Sequence, residues 1–166
     1  IQGCINNNVK KIIHISTDEV YGDKIKGKSK ETDRLNPTNP YSASKAAAEM
    51  IINSYKFVHK KNIIIIRANN IYGIRQFPEK LIPACITNLL NNKKINIHGN
   101  GKNIRHFLSV NDFCKAVVLI IKKVNIGIYN VGCNEKFKNI EVAKKISSLM
   151  NKKNKIRHVK DRPFND

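Results

Sequence analysis

The chain has 166 residues, 41% of them hydrophobic, enough for one domain with a sizeable core but short for a cofactor domain plus a separate substrate domain. Its 31 Lys and Arg against 12 Asp and Glu give a formal charge of +19, spread in pairs such as Lys10-Lys11, Lys60-Lys61, Lys93-Lys94, Lys122-Lys123 and Lys152-Lys153. That scatter reads as solvated surface and lacks the clustered, aromatic-interleaved stripe of a nucleic-acid module, while the longest apolar run, 116–121, falls far short of the roughly 20 residues that span a bilayer.

Cys4, Cys85, Cys114 and Cys133 show no C-x-x-C spacing, which argues against a zinc site or a disulfide framework. No signal-peptide pattern opens the chain. These features together make a soluble, cytoplasmic protein the expectation, with neither membrane nor nucleic acid as partner.

In chain order, Lys11-Ile-Ile-His-Ile-Ser16 and Ile63-Ile-Ile-Ile-Arg67 are short β-branched runs, the second almost continuously apolar, as in parallel strands buried on both faces. Between them, Asn39-Pro40 starts a helix over 41–58 that is rich in Ala46, Ala47, Ala48, Met50, Ile51 and Ile52. This makes a β-α-β unit. Residues 24–36, polar and Lys-rich, form a surface loop.

Further on, the pattern predicts a helix over 78–90 and a short strand carrying Asn96 and His98, then a turn at Gly99-Asn-Gly101. Ser109-Val-Asn-Asp112 reads as a capping box opening a helix to about Val124. A strand over 128–131, a helix over 139–150 and a strand over 156–159 complete the series. Short strands alternating with helices imply an α/β fold with a mostly parallel sheet.

The segment Ser16-Thr-Asp-Glu-Val-Tyr-Gly22 leaves the first strand at its carboxyl end, where open α/β sheets bind ligands. Adjacent Asp18 and Glu19 there can divide into an acid and a base if their surroundings separate their pKa values, and can equally be a helix cap or loop acids. Tyr41-Ser-Ala-Ser-Lys45 puts a phenol and an ammonium one helical turn apart on one face. A cation at that distance favours the phenolate and lowers a tyrosine pKa from its usual value of about 10.

Taken together, Ser16-Thr-Asp-Glu-Val-Tyr-Gly-Asp23, Asn39-Pro-Tyr-Ser-Ala-Ser-Lys45, Phe77-Pro-Glu-Lys-Leu-Ile-Pro83 and Asp161-Arg-Pro163 resemble the extended short-chain dehydrogenase/reductase family, the NAD-dependent epimerases and dehydratases. Within it they look like the dTDP-glucose 4,6-dehydratase branch. The resemblance runs over nearly every segment in the same order. Its 4-epimerases lack the Asp-Glu pair and its decarboxylases resemble Ser-Thr-Ser-Glu at that place, so Asp18 favours dehydration.

The resemblance implies a partial Rossmann-like parallel sheet over 1–73, the second half of an NAD-binding domain. It also implies a smaller, mostly nucleotide-sugar-binding region over 74–166, some of whose elements return to the first. It implies Thr17, Asp18, Glu19, Tyr41 and Lys45 as catalytic residues, and Ser16, Tyr41, Lys45 and Ile71 at the NAD cofactor. The nucleotide sugar would meet Thr17, Asn70, Lys80, Leu81, Asn96, His98, Arg105, Asn139 and Arg162, where arginine forks suit a pyrophosphate. The expected reaction is dehydration of dTDP-glucose to its 4-keto-6-deoxy product by a homodimer, with UDP sugars, 4-epimerisation or decarboxylation as alternatives.

The glycine-rich G-x-G-x-x-G loop of such domains does not occur here; Gly99-x-Gly101 lacks the third glycine and a following crossover helix. The chain is therefore expected to be a fragment that binds NAD poorly and is inactive in isolation.

Overall fold

The computed structural model describes residues 1–24, 27–124, 126–152 and 155–161. They form two compact units, the first of residues 1–69 and 111–132, the second of residues 70–110 and 133–166.

The first unit opens with helix α1 (Gln2–Asn6), followed by strand β1 (Lys11–Thr17), a 3-10 turn (Asp18–Tyr21), helix α2 (Pro40–His59) and strand β2 (Asn62–Ala68). Helix α4 (Val110–Lys123) and strand β6 (Gly127–Val131) follow later in the chain. The strands pair in parallel in the order β1-β2-β6, with Ile13 opposite Ile64 and Ile64 opposite Gly127. Central β2 is buried from Ile63 to Ala68, because a strand covered on both faces has no use for alternation. Ile12, Ile52, Ile63 and Ile65 form the core between sheet and helix, with Ile1, Cys4, Val9 and Ile128 packed against them.

Helix α2 starts where Asn39 Oδ1 accepts the Ser42 N–H at 2.8 Å and Ser42 Oγ accepts the Asn39 N–H at 3.2 Å, with Pro40 in the first turn. It ends at Lys60, whose backbone is left-handed (φ 49°). Beyond the 3-10 turn the chain doubles back at Gly22 (φ 74°), where an added Cβ would lie 2.1 Å from the Asn36 carbonyl oxygen. Both the torsion and the contact reject a side chain. Gly22→Ala is therefore expected to cost about 1–3 kcal/mol in a urea unfolding titration.

The second unit holds strands β3 (Asn70–Tyr72), β4 (Ile95–His98), β5 (Ile104–Ser109), β7 (Lys136–Lys138) and β8 (Ile156–Val159), with helices α3 (Leu81–Leu90) and α5 (Asn139–Leu149). β3 pairs with β5 in parallel and β5 with β7 antiparallel, while β4 and β8 form a separate parallel pair. Its core is Cys85, Leu89, Ile95, Ile97 and Ala143, backed by Leu81, Ile140, Ile146, Met150 and Ile156. Burial pushes the Cys85 thiol up to about 11, so it remains an inert, protonated core group.

Helix α3 begins at Leu81, three residues later than the apolar pattern predicts. Lys80 donates its N–H to the Phe77 carbonyl at 3.1 Å, closing a turn, and Pro83 then falls in the first helical turn, where a missing N–H costs nothing. Strands β3, β5 and β7 are not anticipated by the pattern. Two have only three residues, and β5 carries Arg105 and His106 in a run that pairs with distant partners.

Candidate functional site

Strand β1 delivers Thr17 to the carboxyl end of the first unit's sheet, in register with Ala68 of β2. Thr17 Oγ1 caps the following 3-10 turn by accepting the Glu19 N–H at 3.3 Å. The two acids of the turn are held from different directions. Asp18 Oδ2 accepts a hydrogen bond from Asn69 Nδ2 at 2.6 Å, and Glu19 Oε2 accepts one from Asn39 Nδ2 at 3.3 Å. Asn69 stands just past β2 and Asn39 is the cap of α2, so two neighbouring carboxyls are tied to separate elements. Gly132 leaves room for this arrangement, since a Cβ there would meet Asn69 Oδ1 at 2.0 Å.

Tyr41 lies two residues after that cap and is 53% exposed. Lys45, one turn on, donates from Nζ to the Ile15 carbonyl at 2.7 Å, which fastens the ammonium to β1. Ser16 is 4% exposed, and its Oγ has no hydrogen-bond partner. A buried hydroxyl so placed is an unmet donor and acceptor at the ligand-binding end of a parallel sheet.

His14, on the same strand, also has a buried ring nitrogen, Nε2, without a partner. Burial lowers its pKa below the ordinary histidine value, Lys45 lowers it further, and Glu49 opposes them. A histidine with a depressed folded pKa binds its proton less readily than the unfolded chain does. Stability is therefore retained above about pH 6.5 and lost as pH falls through the folded pKa. The urea midpoint is expected to drop between pH 7.5 and pH 5, and His14→Gln to flatten that drop.

Beneath the turn lies a charged cluster that pattern reading missed. Arg67 of β2 and Glu49 of α2 are 4% and 1% exposed. Arg67 Nε donates to both carboxylate oxygens of Glu49 at 3.1 Å and Nη2 to Oε2 at 2.6 Å. Its Nη1 donates to the Tyr21 hydroxyl at 2.7 Å and to the Glu31 carbonyl at 3.2 Å, and the Tyr21 hydroxyl donates in turn to Asn130 Oδ1 at 2.7 Å. Burial opposes the charge on Arg67, but bonds to Glu49 and Tyr21 hold its pKa above the ordinary value. The loop read as plain surface is tied in as well: Glu31 Oε1 accepts the Asn130 N–H at 2.8 Å, and the Ser29 carbonyl accepts Asn130 Nδ2 at 3.1 Å. An arginine closing an apolar strand, with a glutamate ten residues past a helix cap, was the available signal.

The remaining predicted residues belong to the second unit. Asn70 and Ile71 are on β3, Lys80 precedes α3 and Leu81 opens it, Asn96 and His98 are on β4, Arg105 is on β5, and Asn139 opens α5. Asn96 Oδ1 accepts from Arg157 Nε at 2.7 Å, and His98 Nδ1 lies 3.1 Å from the Lys160 carbonyl. Arg105 Nη1 donates to the Ile104 carbonyl at 3.1 Å, and the Asn139 N–H to the Asn103 carbonyl at 3.1 Å. Arg162 lies outside the described residues.

A parallel sheet whose strand end presents a Ser-Thr pair beside a Tyr-x-x-x-Lys helix defines the class of nucleotide-cofactor α/β proteins. Residues 1–132 match the model of the NAD dependent epimerase/dehydratase family, and the chain belongs to that family. It is 48% identical over 161 residues to a dTDP-D-glucose 4,6-dehydratase of Dictyostelium discoideum, covering 90% of this chain and 37% of that one. It is 40% identical over 173 residues to a trifunctional UDP-glucose 4,6-dehydratase of Arabidopsis thaliana, covering 100% of this chain and 26% of the relative. Among solved structures, a dTDP-glucose 4,6-dehydratase of Streptomyces venezuelae with NAD bound superposes with a TM-score of 0.94 at 32% identity, over 99% of this chain and 52% of that one. The chain thus spans less than half the length of these curated relatives. Among the described residues no helix is long and apolar enough to cross a membrane.

Proposed function

We propose that this chain is the part of an NAD-dependent nucleotide-sugar 4,6-dehydratase that carries its acid–base residues, acting on dTDP-glucose. The observation that carries the reading is the pair of adjacent carboxyls, Asp18 and Glu19, each held by its own asparagine on a turn tied to the start of the Tyr41 helix. A dehydratase needs two carboxyl groups in opposite protonation states, whereas an epimerase needs no acid for a leaving hydroxyl.

The cofactor fits the residues present, because the unpartnered buried Ser16 hydroxyl and the Lys45 ammonium are donors at the sheet end where a nicotinamide ribose would lie. Ser16, Tyr41, Lys45 and Ile71 are the residues proposed to hold it. NAD, when bound, would supply the hydride acceptor for oxidation at carbon 4 and the hydride donor for reduction at carbon 6. Tyr41 accepts the proton of the 4-hydroxyl, which Thr17 orients, and Lys45 keeps the phenolate accessible through its charge. Once carbon 4 is a ketone, the carbon 5 proton is acidic enough for Glu19 to remove as a carboxylate. Asp18 gives a proton to the departing 6-hydroxyl, which leaves as water, and Glu19 returns its proton to carbon 5 as carbon 6 is reduced. Asn70, Lys80, Leu81, Asn96, His98, Arg105, Asn139 and Arg162 are proposed to bind the nucleotide diphosphate and sugar.

The full-length protein is proposed to work in the cytoplasm as a homodimer through α2, whose Met50, Ile51, Phe57 and Val58 are exposed apolar residues. The deciding experiment incubates the full-length protein with dTDP-glucose and with UDP-glucose. The 4-keto-6-deoxy product is expected from dTDP-glucose, and its loss in Asp18→Asn confirms the acid. A 4-epimer or a decarboxylated sugar in place of the ketone refutes dehydration, and a ketone from UDP-glucose alone reassigns the base.

A further inference from the structure

The Glu49–Arg67 pair takes no part in the chemistry proposed above, yet it is the most completely buried charged group among the described residues of the first unit. A sealed ion pair is a weak source of stability, since desolvation offsets most of its attraction; what it can supply is a defined geometry. Here the geometry is legible. Three bonds to both oxygens of Glu49 fix the plane of the guanidinium, and that plane leaves Nη1 aimed at the Tyr21 hydroxyl. A lysine could make the ion pair but could not also deliver the third, coplanar donor.

Tyr21 is the last residue of the 3-10 turn that Asp18 opens. Its hydroxyl is bound on both sides, accepting from Arg67 and donating to Asn130 of β6, so it has no freedom to relax. Glu49 lies four residues past Lys45 and eight past Tyr41, one face of α2 carrying all three. Helix α2 therefore grips the turn twice, at Glu19 through Asn39 and at Tyr21 through Glu49 and Arg67. Asn69, two residues beyond Arg67 in the chain, holds Asp18.

We propose that Glu49, Arg67 and Tyr21 are positioning residues that fix the Asp18–Glu19 turn relative to helix α2 and its Tyr41, and so govern the chemical step and not the binding of substrate or cofactor. This rests on the dehydratase reading of the same site. A displacement of about 1 Å at reacting groups can lower a rate by about a hundredfold.

The test uses the full-length enzyme with Tyr21→Phe, which keeps the ring and removes the hydroxyl, and with the apolar double variant Glu49→Met/Arg67→Met, which buries no lone charge. Both are expected to fold and to bind NAD and nucleotide sugar within twofold of the parent, with kcat down about tenfold to a hundredfold and KM nearly unchanged. Amide hydrogen exchange at Glu19 and Gly22, whose N–H groups are bonded within the turn, is expected to accelerate in both variants. A parental kcat in the folded double variant, or a fall expressed in KM alone, overturns the proposal. If the parent enzyme forms no 4-keto sugar, the dehydratase reading fails by itself. The exchange measurement still decides the positioning claim, and unchanged protection at Glu19 and Gly22 in Tyr21→Phe overturns it.

Discussion

Under the dehydratase reading proposed above, Tyr41→Phe in the full-length protein is expected to lower kcat for the 4-keto-6-deoxy product by about 10²- to 10⁴-fold, the range ascribed to a positioned acid–base group. The change removes one oxygen from a side chain that is 53% exposed and keeps its ring. Lys45 keeps its hold on the Ile15 carbonyl. NAD and nucleotide-sugar affinity should stay within a few-fold of the parent, which places the loss in the chemical step. The measurement is single-turnover formation of the ketone with NAD bound. A variant that retains more than a tenth of the parental rate would mean that another group takes the 4-hydroxyl proton.

The second large effect concerns stability. Arg67→Met leaves the Glu49 carboxylate 1% exposed with no cation beside it, a situation that costs about 3–5 kcal/mol. Glu49→Met strands the guanidinium in the same way. Replacing both at once removes the two desolvation costs with the attraction, so the double variant is expected to recover most of what either single change loses. Urea unfolding midpoints of the four proteins complete the cycle. If the two single losses simply add in the double variant, the pair is not coupled and the ionic description of this cluster is wrong. Stability and rate then give separate readings: the double variant should regain the first without the second.

Much of the first unit was legible because its determinants are local. Ile63 to Ile66 announce a strand covered on both faces, Asn39-Pro40 announces a helix start, and both appear where the pattern puts them. Strands β3 and β7 escaped because three residues carry no periodicity, and β5 because its charged members hide the alternation. The start of α3 was misplaced by three residues because an apolar count takes no notice of where Pro83 can sit.

By itself, then, the sequence determined the α/β class, the order of most elements and the Tyr41-Lys45 and Asp18-Glu19 motifs, because short-range propensity and periodicity encode them within a few residues. Tertiary structure alone decided what surrounds those motifs. It gave Asp18 to Asn69 and Glu19 to Asn39, left the Ser16 hydroxyl unpartnered, and joined Glu49, Arg67, Tyr21 and Asn130 into one buried network. Those pairings link residues that lie 18 to 109 positions apart in the chain. Side chains that distant meet only when the strands and helix that carry them have packed, and it is the low-dielectric interior created by packing that makes each buried polar group require its partner.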